Sequence, residues 1–254
     1  MPGGSSLELW VVSSEGTLGA VDRSLARRGV KVRRLVTLRF EDADPKALRT
    51  RVMQWGRYDT LIVTSPRAVS AFVRPVLVAG KGPPPHLETW AVGPATARAL
   101  HALGFRSVHR AAADGSRAIA ARFAGGRTRS ILYPRSDRAG SELGRTLRRQ
   151  GHRVLEPVAY RTIDVIPSAS AMNSLSRPRT VVLATSPSAL SSLRAALSPR
   201  AFFRWRRTAR LIALGQRTAR SARGHGFRGV ITAPELSVEG LTGLLVREAR
   251  DGPR

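Results

Sequence analysis

Three stretches of this 254-residue chain occur twice at a nearly constant distance. TSPRAVSAF at 64–72 returns as TSPSALSSL at 185–193, and GPATARALHALGF from Gly93 returns as GQRTARSARGHGF from Gly215. SLARRGVKV, which carries Gly29, returns as TLRRQGHRV, which carries Gly151. The glycine pairs stand 122 apart (215 − 93 = 151 − 29 = 122), as do Thr96 and Thr218, and Phe105 and Phe227; Thr64 and Thr185 stand 121 apart (185 − 64 = 121). Chance likeness in an Ala/Arg-rich chain would not hold this spacing over three separate motifs. Solenoid repeats run only about 20–50 residues, so a period this long predicts two copies of one half-molecule-sized unit.

Each copy alternates short apolar runs with helix-length amphipathic segments. In the first, LELWVV, residues 30–40, DTLIVTS, TWAVG and SVHRA read as strands. Helices are expected over 18–28, near 45–55, from Pro66, from Pro94 and over 114–123. In the second, SILYPRSD, HRVLEPVAYRTID, TVVLATS, RLIALG and GVITA are strand-like with helices between. Such alternation predicts an α/β fold with parallel sheets flanked by helices on both faces. Residues 30–40 and 152–162 are longer than a typical strand and lack a turn signal, so both are expected to cross between the two units.

Parallel sheets gather ligands beyond the carboxyl ends of their strands, where helix N-termini point. The chain places hydroxyl residues or glycine, often followed by proline, at those junctions: Ser65–Pro66, Ser186–Pro187 and Gly93–Pro94. Each reads as an N-cap followed by a proline at the first helical position. Arg135–Ser136–Asp137 follows another strand, and Ser237 with Glu239 is expected to open the last helix. Free N–H groups and the positive end of the dipole make such a terminus an anion site. A Ser-Pro helix start is also an ordinary cap; recurrence in both copies is what raises the binding reading.

Charge points the same way. Forty-three Lys+Arg against seventeen Asp+Glu give +26, and only Lys31, Lys46 and Lys81 are lysines. An anionic partner and a compositional preference for arginine on solvated faces both account for this. No cysteine is present, which excludes disulfides and zinc–thiolate sites. His86, His101, His109, His152 and His225 have no metal-ligand spacing, and no nucleotide-binding glycine fingerprint or nucleophile elbow occurs. No metal and no cofactor are expected. Aromatic residues are 6% and scattered, against a single-strand nucleic-acid platform. No apolar run approaches the roughly 20 residues of a membrane span, and the N-terminus has no signal-peptide pattern. A cytoplasmic protein without membrane contact is therefore expected.

ILYPRSDRAGSELGRTLRRQGHRVLEPVAYRT at 131–162, DTLIVTSPRAV at 59–69, AVGPATA at 91–97, IALGQRTA at 212–219 and ITAPELSVEGL at 231–241 occur in a specific order and spacing. In that order they resemble the uroporphyrinogen-III synthase family along nearly the whole chain. The resemblance implies two similar domains joined by a two-stranded β-ladder. Domain one would be 1–34 with 165–254, domain two 38–160, and the linkers 35–37 and 161–164. It implies a cofactor-independent lyase (hydro-lyase) of haem, sirohaem or cobalamin biosynthesis. Its substrate, hydroxymethylbilane, is a linear tetrapyrrole with eight carboxylates, which is closed with inversion of the terminal pyrrole and loss of water. Tyr160 carries over as the catalytic phenol. Thr64, Ser65, Arg67, Gly93, Thr96, Arg135, Ser136, Thr185, Ser186, Gly215, Arg217, Thr218 and Ser237 carry over as substrate-binding residues of the cleft. A monomer, in transient contact with the preceding hydroxymethylbilane synthase, is implied.

The chain departs from the family where the first strand ends, with Ser13–Ser14 in place of Arg-Pro, and at Gln216–Arg217 in the second glycine turn. Two other readings remain open on sequence. A non-catalytic homologue acting as a ligand-binding regulator would be expected to carry an appended DNA-binding domain, and the chain ends at Arg254 soon after its last expected helix. A basic nucleic-acid-binding protein would cluster its arginines on one face, whereas here they are spread over nearly every helix.

Overall fold

The computed structural model describes residues 8–15, 23, 25–44, 55–79, 82–111, 115–175, 180–233, 239–241 and 243–244. The strands are β1 (Glu8–Ser14), β2 (Lys31–Asp42), β3 (Thr60–Val63), β4 (Glu88–Ala91), β5 (Val108–Arg110), β6 (Ser130–Leu132), β7 (Arg135–Ser136), β8 (Arg153–Leu155), β9 (Val158–Asp164), β10 (Val181–Ala184), β11 (Arg210–Leu214) and β12 (Val230–Ala233). The helices used below are α1 (Pro66–Ala68, continuing through Val69–Val73 and Arg74–Ala79), α2 (Pro94–His101), α3 (Ser116–Phe123), α4 (Glu142–Arg149), α5 (Ala169–Leu175), α6 (Pro187–Ala196), α7 (Pro199–Thr208) and α8 (Gly215–Gly224). Of the helix expected over 18–28, Arg23 and Leu25–Arg27 are helical; 45–54 and Ser237 lie outside the described residues.

The chain forms two compact units: Met1–Arg39 with Ile163–Arg254, and Phe40–Thr162. In the first unit the parallel strand order is β12-β11-β10-β1-β2, and in the second it is β5-β4-β3-β6-β8. Position by position these are the same sheet. The registers coincide as well. Leu9 faces Val181 as Ile131 faces Thr60, Val181 faces Arg210 as Thr60 faces Glu88, and Leu211 faces Val230 as Thr89 faces Val108. Thr60–Glu88 spans one residue fewer than Val181–Arg210, which places the step from 121 to 122 in the crossover after β3 and β10.

Both sheets are covered on both faces, so their strands lack simple polar alternation. In the first unit Leu9, Val11, Val181, Leu183 and Ile212 pack with Leu25 and Leu241, while Trp10, Val12 and Val182 pack with Leu190, Leu193, Trp205 and Phe227. In the second, Leu61 and Val63 pack with Phe72, Leu100 and Phe105, and Ile62 and Ile131 with Ile119, Phe123 and Leu147.

The chain passes between units inside β2, at Arg39/Phe40, and inside β9, at Thr162/Ile163. These strands are hydrogen-bonded neighbours. Ala43 N–H donates to Ala159 O at 3.0 Å in the second unit, and Val165 N–H to Thr37 O at 2.9 Å in the first. The expectation of one unbroken strand over 152–162 is corrected. The segment is β8, an interruption at Glu156–Pro157, and then β9. Pro157 has no N–H for a ladder bond, which favours a change of partner there. A second local difference lies in α1, where Val69–Val73 takes π-helical geometry and Arg74 N–H donates to Val69 O. Pro75 follows at once; it lacks the donor an α-helix would aim at Ala71, and the wider turn accommodates its ring. The equivalent α6 has no proline inside it and stays regular.

Candidate active site

In the second unit, β3 delivers Thr64 and Ser65 to its carboxyl edge, and each hydroxyl meets a phenol. Ser65 caps α1: its backbone is extended (φ −146°, ψ 147°) and its Oγ accepts from Ala68 N–H at 3.1 Å. The same Oγ lies 3.2 Å from the Tyr160 hydroxyl. Ser65 Oγ accepts from Ala68 N–H and has one proton to give; with that proton on the Tyr160 oxygen, the phenolic O–H is available to a ligand. Tyr160 comes from β9, is 8% exposed, and meets the Phe40 ring edge-on at a centroid distance of 5.5 Å. Thr64 hydrogen-bonds Tyr133 at the end of β6; burial is the main cause that lifts the Tyr133 phenol above its ordinary value, opposed by Thr64 and the nearby Arg135 charge.

Beside these, the turn after β4 holds Gly93 at φ +83° ahead of Pro94, a conformation open at little cost only to glycine. Arg67 bonds Asp42 and lies over Phe40 at 5.5 Å. Arg135 forms an ion pair with Glu156 at 2.8 Å and donates to Ala139 O at 2.6 Å, while Arg148 holds the other Glu156 oxygen at 2.7 Å. Ser136 Oγ donates to Asp137 and sits 3.1 Å from Thr162 Oγ1. Arg135 and Ser136 are thus committed to holding the β7–β9 pairing.

The first unit repeats the hydroxyl edge without the phenols. Ser186 (φ −155°, ψ 156°) caps α6 through Ala189 N–H at 3.1 Å, and Thr185 Oγ1 donates to Val12 O at 3.2 Å. Gly215 takes φ +73° at the start of α8, and Arg217 in its first turn is exposed. Thr96 and Thr218 are 1% and 2% exposed, so both side chains are buried. Ser237 lies outside the described residues.

A family model described as Uroporphyrinogen-III synthase HemD matches residues 20–243. The chain belongs to the uroporphyrinogen-III synthase family. By this membership it is an enzyme of tetrapyrrole biosynthesis. Solved structures with the same fold include a triple-mutant uroporphyrinogen III synthase from the extreme thermophile Thermus thermophilus (17% identity, 96% of this chain and 99% of that one, TM-score 0.76). The wild-type Thermus thermophilus enzyme in a second crystal form aligns at 19% identity over 96% and 98% with a TM-score of 0.57. The Helicobacter pylori 26695 enzyme aligns at 20% identity over 94% and 98% with a TM-score of 0.56. No curated protein matches the chain.

Within this member of the synthase family, the departure at Ser13–Ser14 falls on a register shift between β1 and β2, and Ser13 is 2% exposed. Two features escaped the sequence. Tyr133 is the ring partner of Thr64, and the signal available for it was a hydroxyl-bearing ring at a strand's carboxyl end. The second is the support beneath Arg135: Glu156 lies so close over Gly144 that a Cβ there would collide with its carboxylate. His152 serves structure. His152 Nδ1 accepts from Arg129 N–H at 3.2 Å, which assigns the ring proton to Nε2, 3.0 Å from Phe123 O. Among the described residues no group of three or more His, Asp or Glu gathers as a metal would require, and no helix is long and apolar enough to cross a membrane.

Proposed function

We propose that the chain closes hydroxymethylbilane to uroporphyrinogen III, inverting the terminal pyrrole and releasing its hydroxyl as water, as a hydro-lyase. Family membership across residues 20–243 carries this reading. The hydroxyl edge of the second unit supports it chemically. Departure of the hydroxyl leaves a cationic pyrrolic carbon and needs a proton on the leaving oxygen. The Tyr160 phenol, with Ser65 Oγ at 3.2 Å able to supply it with a second hydrogen bond, is a donor suited to that oxygen.

Substrate carboxylates would be held by the turns at Thr64–Ser65, Gly93, Thr185–Ser186 and Gly215, together with Arg67 and Arg217. A carboxylate at a helix N-terminus gains about 0.3–1 kcal/mol, so several such contacts are needed to orient a flexible chain. Thr96 and Thr218, buried in the first turns of α2 and α8, would contribute by packing beneath the glycine turns, and Arg135 and Ser136 by holding β7 against β9. No cofactor enters this scheme. The protein is proposed to act as a cytoplasmic monomer that receives its unstable substrate from the preceding synthase. Supplying hydroxymethylbilane and separating the isomer I and III products tests the proposal; only isomer I at the spontaneous rate would refute it.

A further inference from the structure

Four of the many arginines that the proposed reaction does not use gather in one place. Arg206 and Arg207 at the end of α7, Arg223 at the end of α8 and Arg228 before β12 line an open pocket of about 630 Å³, with Phe203 exposed beside them. This volume lies within the roughly 300–1,000 Å³ of small-molecule sites. All of its lining belongs to the first unit and sits at the amino ends of β11 and β12, opposite the edge that bears Thr185, Ser186 and Gly215. No acidic side chain lines it, and none of the four arginines has a carboxylate partner among the described residues.

The duplication shows that the fold does not require this cluster. Gly226–Phe227–Arg228 is repeated as Gly104–Phe105–Arg106, and Gly226 and Gly104 share φ +87° and +89°. The wall is different. The residues 122 earlier than Arg204–Thr208 are Gly82–His86, which form bends and turns and no helix, so the helical turn that carries Arg206 and Arg207 has no counterpart there. The guanidiniums are also held in place. Arg206 lies 4.7 Å and Arg207 5.7 Å from the centre of the Phe203 ring, and a Cβ at Gly226 would stand 2.5 Å from Arg206 Nη1. Carbonyls at the helix C-termini offset part of the positive charge, but that effect fades within the last turn.

We propose that this pocket is a polyphosphate-binding site, separate from the strand edge that carries the synthase chemistry. Four guanidinium forks in one pocket suit an anion of high charge density, and a terminal phosphate carries about −1.5 to −2 at neutral pH. Inorganic polyphosphate and a nucleoside triphosphate share this chemistry; the exposed part of Phe203 offers the base of the second an apolar contact beside Arg206 and Arg207.

Isothermal titration with tripolyphosphate and with ATP at low salt tests this, with the double variant Arg207→Glu/Arg228→Glu. A matched pair in the second unit, Arg117→Glu/Arg122→Glu, controls for net charge. The parent is expected to bind one equivalent, the pocket variant at least tenfold more weakly, and the control within twofold of the parent. Equal affinity for the two ligands assigns inorganic polyphosphate, whereas tighter ATP binding that Phe203→Ala abolishes assigns the nucleotide. Loss of affinity that is the same in both double variants, or no binding by the parent, would overturn the proposal. Circular dichroism and the rate of isomer III formation should be unchanged in the pocket variant.

Discussion

Ser65→Ala and Ser186→Ala form a matched experiment, because the duplication gives the two serines nearly identical surroundings save one. Both cap a helix from extended backbone, each accepting an N–H three residues on at 3.1 Å. Loss of either cap should cost about 1 kcal/mol of its unit's stability. Only Ser65 also touches a phenol; the residue 122 before Tyr160 is Leu38, which is buried. Removing Ser65 Oγ therefore takes a further hydrogen bond from Tyr160, about 0.5–1.5 kcal/mol. If the phenol assists departure of the hydroxyl, that loss appears at saturating substrate. We expect Ser65→Ala to lower kcat about tenfold, or ~1.4 kcal/mol, while Ser186→Ala raises KM and leaves kcat within a factor of about two. The assay is the initial rate of isomer III formation over a range of hydroxymethylbilane, beside a thermal melt of each variant. Equal kcat in the two variants with equal loss of stability would refute the coupling between Ser65 and Tyr160.

Tyr160→Phe keeps the edge-on contact with Phe40 and removes the donor, so isomer III formation should fall by one to two orders of magnitude, about 1.4–2.8 kcal/mol, with a nearly unchanged melt. Gly144→Ala should displace the Glu156 carboxylate from Arg135 and Arg148 and destabilise the second unit, measured by denaturant unfolding; a neutral result would mean that Glu156 relocates freely. Although burial tends to raise the Glu88 carboxyl, hydrogen bonds from Trp90 and Arg129 and the Arg129 and His109 charges hold it below its ordinary 4.5. A depressed carboxyl stabilises the fold above its unfolded value and loses that contribution as pH falls through the folded one. The melting gap between the parent and Arg129→Met should accordingly be full near pH 7 and narrow below about pH 4.5; a gap that widens in acid would contradict this sign.

Much of this architecture was legible in the chain, because the repeat carries the geometry with it. Gly29 and Gly151, Gly93 and Gly215 are left-handed in both copies, and residues matched in the sequence occupy matched places in the two sheets. Strand edges were legible too, since Ser-Pro after an apolar run fixes where a strand stops and a helix starts. What could not be read was set by partners distant along the chain. Tyr133 matters through Thr64, Arg135 is committed through Glu156, and Thr96 and Thr218 are buried by packing that no local pattern encodes. The break at Glu156–Pro157 was signalled by its proline but masked by the β-rich residues on either side. In α1, Pro75 acts one turn upstream of itself, so a pattern of helix formers reads as regular where the backbone widens.

Product identity tests the central claim most directly. Unassisted closure of hydroxymethylbilane gives the uninverted isomer I, so isomer III reports on an enzyme that orients the terminal pyrrole while the hydroxyl leaves. Purified chain, supplied with hydroxymethylbilane and quenched before spontaneous closure completes, is predicted to yield predominantly isomer III, with Tyr160→Phe shifting the ratio back toward isomer I. Isomer I alone from a folded parent protein, at the rate seen without protein, would contradict the account.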